Sequence, residues 1–248
     1  MIFTNKKNGG DFEIDPENLP KHIGIILDGN GRWAKKRGLP RSAGHSVGVD
    51  NMKTVIRECN RIGIESVTSY VFSTENWKRP KDEVDFLMKL FIKFFDNYKK
   101  ELEGENIVMR VIGARENLDP HLVEKIAETE EYTKNNTGTI VNMALNYGSR
   151  EEITRAVKGI SQDVKNGIIK SEDITPQMIT DRLYTAGQHE VDLLIRTSGE
   201  MRISNFLMWQ ISYAELWFSE KMWPEFTNED LHMAIYDYGQ RKRRFGGI

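Results

Sequence analysis

Residues 22–32 read His22-Ile23-Gly24-Ile25-Ile26-Leu27-Asp28-Gly29-Asn30-Gly31-Arg32, a continuous apolar run that breaks into a turn of glycine, amide and charge. An apolar run of strand length, without polar alternation, predicts a strand covered on both faces, as in parallel sheets. Gly29 and Gly31 allow backbone angles and close approaches that a Cβ would forbid. If a helix starts at Arg32, its free N–H groups and dipole favour an anion there. Asp28 cannot receive that anion itself. It suits Mg2+, which takes one or two carboxylates together with phosphate oxygens and water. A capped glycine turn would use the same residue types, so the segments around the run have to decide.

Outward from it, strands are expected at 66–72, 107–112, 139–145, 191–195 and 215–219. Between them, Val47, Val49, Met52, Val55, Ile56, Cys59 and Ile62 recur at helical steps up to Gly63. Residues 82–103 read as one long helix, and Asp119-Pro120 opens another. Further helical stretches fall near 150–166 and 175–185, and Thr227 with Asp230 begins the last by a capping-box pattern. The alternation predicts an α/β fold, a mainly parallel central sheet flanked by helices. With no repeat, low-complexity tract or linker, residues 19–248 are expected to form a single domain behind a polar, loosely ordered lead-in over residues 1–18.

The composition narrows the function classes. With 39% hydrophobic and 29% charged residues, the 248-residue chain is ordinary for a soluble globular protein. A net charge of −2 argues against a nucleic-acid partner, so any anion site must come from locally gathered arginines. There is no signal-peptide core at the start and no stretch near the roughly 20 apolar residues of a membrane span. The expectation is a cytoplasmic protein with at most peripheral membrane contact. Cys59 is the single cysteine, expected as a reduced core residue.

In open parallel sheets, ligands sit beyond the carboxyl ends of the strands. Polar clusters fall there repeatedly: Asp28 to Trp33, Ser73-Thr74-Glu75-Asn76-Trp77-Lys78-Arg79, Asn146-Tyr147-Gly148, and Arg196 through Glu200 and Arg202 to Ile203-Ser204. Arg41, Arg79, Arg196 and Arg202 supply planar forks that match two phosphate oxygens at once. His45, in Gly44-His45-Ser46, is either a donor to phosphate or a turn cap. No Walker A loop, GxGxxG fingerprint or DDxxD pattern is present. Two other features stay open between two readings. Val84, Phe86, Leu87, Leu90, Phe91, Phe94, Phe95 and Tyr98 form an arc wider than one packing stripe needs. That arc is ordinary core or one wall of an apolar tunnel closed by Ile140, Met143 and Leu145. The basic tail over 241–248 complements a helix dipole, or else meets an anionic lipid surface or the substrate.

Together, HIGIILDGNGRWAKKRGLPRSAGH, YVFSTENWKRP, NYGSREE and LLIRTSGEMRISNFLMWQISYAELWF resemble the cis-prenyltransferases of the bacterial undecaprenyl diphosphate synthase type, from about Pro20 to Gly247. The resemblance implies repeated condensation of isopentenyl diphosphate onto farnesyl diphosphate with cis geometry, a homodimer, and a product used as a cell-wall lipid carrier. It implies Asp28 as the magnesium-binding catalytic aspartate, with Gly29, Asn30, Gly31, Arg32, Arg41 and His45 at the allylic diphosphate. Trp33, Trp77 and Arg79 fall on substrate-pocket positions, and Ser73, Thr74, Glu75 and Asn76 on the loop over the reacting carbons. Asn76 takes the place of the family's proton acceptor; a neutral amide is a feeble base, which favours a diphosphate oxygen for that role. Arg196, Arg202, Ile203 and Ser204 fall on the isopentenyl diphosphate site and Glu215 on a second magnesium position. Leu27 stands where Met is usual and Val71 where Ala is common. A non-catalytic accessory subunit or diphosphate-binding module of the same fold is the competing expectation.

Overall fold

The computed structural model describes residues 3–7 and 10–241. Strands β1 (Phe3–Lys7) and β2 (Gly10–Ile14) pair antiparallel as a hairpin. The expected loose lead-in is therefore structured at this point. Ile14 is buried in the main core, and β2 packs on the last helix.

The central sheet is built from β3 (His22–Ile26), β4 (Ser66–Ser73), β5 (Val108–Ile112), β6 (Ile140–Tyr147), β7 (Leu193–Arg196) and β8 (Glu215–Phe218). Their spatial order is β5-β6-β4-β3-β7-β8, and every neighbouring pair is parallel. All five residues of β3 are buried, as an apolar run with no alternation requires. The chain passes from β3 to β4, skips to β5 at the edge and returns to β6 between them, then crosses to the other side of β3 for β7 and β8. That reversal puts the topological switch point between β3 and β7, where open α/β sheets bind ligands.

The helices are α1 (Asn30–Lys36), α2 (Arg41–Ile62), α3 (Lys81–Asp96), α4 (Tyr98–Glu101), α5 (Pro120–Thr133), α6 (Ser149–Lys165), α7 (Pro176–Thr180) and α8 (Asn228–Gln240). Punctuation read from sequence is in place: Gly63 ends α2 at φ 91°, Asp119 caps α5, and Thr227 and Asp230 form the capping box of α8. Three boundaries differ from expectation. Helix α1 begins at Asn30, two residues earlier. The expected helix over 82–103 breaks at Asn97 into α3 and one turn of α4, and the stretch near 175–185 keeps only the five residues of α7. Periodicity reports which face is apolar; it does not report where a helix must bend to follow the sheet. Among the described residues no helix is long and apolar enough to cross a membrane.

Candidate active site

The carboxyl ends of β3 and β7 carry Asp28 and Arg196. Parallel register sets Ile26 opposite Arg196, and Arg196 Nη2 donates to Asp28 Oδ2 at 2.9 Å. Thr197 Oγ1 and the Trp223 amide donate to the Asp28 carbonyl at 2.7 and 2.9 Å, fixing the backbone beneath the carboxylate. Arg32 approaches the other carboxylate oxygen at 3.2 Å. Burial raises the Asp28 pKa, but the bond and charge of Arg196, helped by Arg32, outweigh it and hold the carboxyl below its ordinary range. Asp28 is an ionised hard-oxygen donor at a positively charged mouth.

The loops around it approach too closely for ordinary side chains. A Cβ on Gly29, whose φ is 106°, would stand 2.8 Å from Ser198 Oγ and 2.9 Å from Met222 Cβ. A Cβ on Gly31 would stand 2.8 Å from the Arg41 guanidinium carbon. Three side-chain atoms here are buried without a partner: Asn30 Oδ1, Arg196 Nε and Ser198 Oγ. Such atoms cost free energy unless something bonds them, so their grouping on one rim marks a ligand site.

Arg196 also donates to Ser204 Oγ at 2.8 Å and to the Arg202 carbonyl. Glu200 joins Arg32 at 2.9 Å and pairs with Arg202. A second arginine group gathers on Glu83 of α3. Arg41 lies 3.0 Å from it, Arg79 2.9 Å and His45 Nε2 3.1 Å. Burial pushes the His45 pKa down, Glu83 opposes, and Arg79 and Arg41 add to the fall, so the ring is neutral near pH 7. A neutral ring bonded to a carboxylate donates from Nε2 to Glu83. The His45 ring is thus joined to the Glu83 carboxylate, together with Arg41 and Arg79.

The β4 end is shaped by register shifts between Tyr70 and Ser73, a bulge that re-aims the residues following it. Ser73 and Asn76 form a capping box, with the Ser73 amide donating to Asn76 Oδ1 at 3.1 Å. Thr74 Oγ1 donates to Glu75 at 3.3 Å. Trp77 Nε1 donates to Asn146 Oδ1 at 2.8 Å, and its ring meets Phe72 edge-on at 5.1 Å.

Beneath these groups runs a cavity of about 290 Å³. Asp28, Asn30, His45, Ser73, Asn76, Arg79, Arg196, Arg202 and Ser204 line its polar end. Val49 and Met52 of α2, Leu87, Leu90, Phe91 and Phe94 of α3, and Met143 of β6 line the apolar remainder. The α3 arc therefore divides: Leu87, Leu90, Phe91 and Phe94 form a cavity wall, whereas Val84, Phe95 and Tyr98 are buried away from it. Of the three β6 residues expected to close it, Met143 alone is in the lining.

Other expected site residues stand at the margin. Trp33 is half-buried under the Arg37 guanidinium, 4.4 Å from its ring centre, and Ile203 packs into the smaller core cluster. Glu215 opens β8 beside Leu193, at the opposite end of β7 from Arg196, and holds Arg241 at 2.6 Å. The distance along the strand, about 10 Å at the usual rise per residue, keeps Glu215 from meeting Asp28 within one chain. Arg241 is the one member of the basic tail among the described residues; 242–248 lie outside them. Reading the sequence alone gave no role to Glu83, which looks like any first-turn helix acid, or to Tyr70, which looks like strand interior.

Apolar cavity, paired arginine forks and an ionised aspartate define an enzyme site for an anionic head on an apolar tail. The match to known proteins is of that class. Residues 26–246 fit the model of the prenyltransferase family described as undecaprenyl diphosphate synthase, and the chain belongs to that family. It is 49% identical to an isoprenyl transferase of Clostridium perfringens over 251 residues, covering 100% of this chain and 99% of that one. An isoprenyl transferase of Listeria innocua is 51% identical, covering 93% and 91%. Among solved structures, lavandulyl diphosphate synthase from Lavandula x intermedia, in complex with dimethylallyl diphosphate, superposes with a TM-score of 0.89 at 37% identity, covering 93% and 99%. A probable undecaprenyl diphosphate synthase from Campylobacter jejuni gives 0.77 at 35%, covering 92% and 99%. The chain is a prenyl-chain-elongating transferase.

Proposed function

We propose that the enzyme condenses isopentenyl diphosphate repeatedly onto an allylic diphosphate, farnesyl diphosphate as starter, to give a long cis-polyprenyl diphosphate for lipid-carrier synthesis. The observation that carries this reading is the Asp28–Arg196 pair at the mouth of an apolar cavity. Two diphosphates must meet there, and their charge explains a near-neutral chain that concentrates arginine on one rim. The α1 turn, Arg32, Arg41 and His45 would hold the allylic diphosphate, and Arg196, Arg202 and Ser204 the isopentenyl one. Mg2+ suits Asp28, which is ionised and carries on Oδ1 only the 3.2 Å contact of the exposed Arg32, and would supply Lewis-acid stabilisation of the departing diphosphate. The chain's own residues bring the two reacting carbons together at about 3–3.5 Å, and the apolar wall buries the tail at about 0.8 kcal/mol per methylene.

Asn76 acts by position. Its carbonyl oxygen already accepts the Ser73 amide, so it is a weaker base still, and a diphosphate oxygen takes the proton. We treat 19–248 as one catalytic unit, cytoplasmic, meeting the membrane peripherally to release product. A homodimer through β8 is supported by the contrast between sheet edges. On β5 the outward amides of Met109 and Val111 bond Thr133 and Glu130, whereas β8 exposes Leu216 and the turn leading into it exposes Tyr213. Any metal contact by Glu215 is then made across that contact.

Labelled isopentenyl diphosphate and farnesyl diphosphate, with and without chelator, test the reading by product sizing. Chelator-sensitive chains longer than the starter are expected; no product under any metal condition would favour the accessory-subunit reading, which no feature of the site supports.

A further inference from the structure

Three segments meet on one side chain that the reaction scheme leaves unused. Asn205 Nδ2 donates to Glu75 Oε1 at 3.0 Å, in the loop that carries Asn76. Asn205 Oδ1 accepts the Arg150 amide at 2.9 Å, and its carbonyl accepts the Ser149 amide at 2.8 Å, both at the start of α6. Its chain neighbour Ser204 bonds Arg196 and, through its carbonyl, the Tyr70 hydroxyl at 3.3 Å. The crossing is tight: a Cβ on Gly148 would come within 2.8 Å of both Asn205 Nδ2 and Thr74 Oγ1, and nearer still to Glu151.

The backbone at this crossing is strained. Ser204, Asn205 and Leu207 have φ of 50°, 62° and 46°. Non-glycine residues enter this region at a cost and stay there when surrounding contacts over-determine them. Asn tolerates it better than most, and its amide offers a donor and an acceptor at once. A carboxylate here would face Glu75 and Glu151, which both lie within 3.5 Å of Asn205 Nδ2.

We propose that Asn205 is a positioning residue that bolts the Arg196–Ser204 loop to the Glu75–Asn76 loop, so that the isopentenyl diphosphate half of the site is held in register with the loop over the reacting carbons. This rests on the two-diphosphate reading of the site. The bond pattern separates its role from a merely structural one. Asn205→Gly keeps the left-handed backbone at little cost but removes all three side-chain bonds, to Arg150, Glu75 and Glu151. Asn205→Asp keeps the shape and the Arg150 contact but turns the donor to Glu75 into a repelling charge.

The test is steady-state kinetics plus calorimetric titration with inorganic pyrophosphate. For Asn205→Gly we expect KM for isopentenyl diphosphate to rise about tenfold and kcat to fall several-fold, with KM for farnesyl diphosphate within about twofold. Asn205→Asp should be worse, and Glu75→Gln introduced into it should restore a large part of the loss. In the Gly background Glu75→Gln should cost less than it does in the wild type. Wild-type kinetics in Asn205→Gly, or penalties that simply multiply with those of Glu75→Gln, would overturn the proposal. The pyrophosphate titration needs no turnover. A chain that binds pyrophosphate yet never elongates would end the elongation reading, while weakened binding in Asn205→Asp with rescue by Glu75→Gln would still support the bolt, and its absence would still sink it.

Discussion

The two ends of the same parallel sheet are both polar and do opposite things. At the amino end, His22 bonds the His189 carbonyl at 2.8 Å and Thr68 at 2.7 Å. Asn142 bonds Thr68 at 3.0 Å and Gln188 at 2.8 Å, and none of its atoms or those of His22 and Thr68 is orphaned. At the carboxyl end, Asp28 and Arg196 are charged, and Asn30, Arg196 and Ser198 each leave a buried atom unbonded. A closed network satisfies itself and fixes strand register; an open one keeps its bonding capacity for a ligand. Burial alone therefore does not mark a site. Unspent hydrogen bonds mark one where they gather, as at Asn30, Arg196 and Ser198, and not where they stand singly, as at Ser69, Arg115, Gln210 and Asn228.

The sharpest way to break this contrast is Asp28→Ala. It should lower kcat by about 10³-fold or more, as loss of a central electrostatic group does, while circular dichroism and melting stay close to wild type. A collapsed fold instead would make Asp28 a structural residue.

At the other end the effect should fall on stability. Burial lowers the His22 pKa from 6.5 to about 4. Because the folded value is the lower one, the unfolded chain takes up the proton first as pH falls. Stability tied to neutral His22 is present above pH 6.5 and declines from there to about 4, by roughly 3 kcal/mol at most. Urea titrations across that range should show a shallower acid slope in His22→Gln. An unchanged slope would remove His22 from the account.

Asn142→Leu probes the same network without charge. Leaving Thr68 and Gln188 short of a partner should cost about 1–3 kcal/mol, with kcat/KM of the remaining folded enzyme unaltered. A comparable loss of activity would show that the amino end reaches the chemistry.

The smallest expected effect sharpens the open end. Glu83→Gln removes the charge that gathers Arg41, His45 and Arg79, and should raise the farnesyl diphosphate KM about tenfold, the scale of one weakened charged contact. An unchanged KM would mean that ligand alone orders those three groups.

Much of this was legible in the chain. The apolar run into Asp28-Gly29-Asn30-Gly31 pointed to a buried strand and its turn, since only such a strand needs no polar face and glycine suits the positive φ of Gly29 where Ser198 and Met222 crowd. The arginines at the strand ends pointed to an anion, and the blocks from Pro20 onward carried the family. Local chemistry writes these features into neighbouring residues, so neighbours suffice to read them.

Tertiary structure alone decided the rest. Which strand lies beside β3 depends on crossovers that no local pattern encodes, and that choice sets Arg196 against Asp28 across 168 positions of chain. It also put Glu215 at the far end of β7, broke the long helix at Asn97, and made hubs of Glu83 and Asn205 from unremarkable residue types. The pairings of Arg196 with Asp28, of Glu83 with Arg41 and His45, and of Asn205 with Glu75 are long-range contacts, and their energy exists only once distant segments have met.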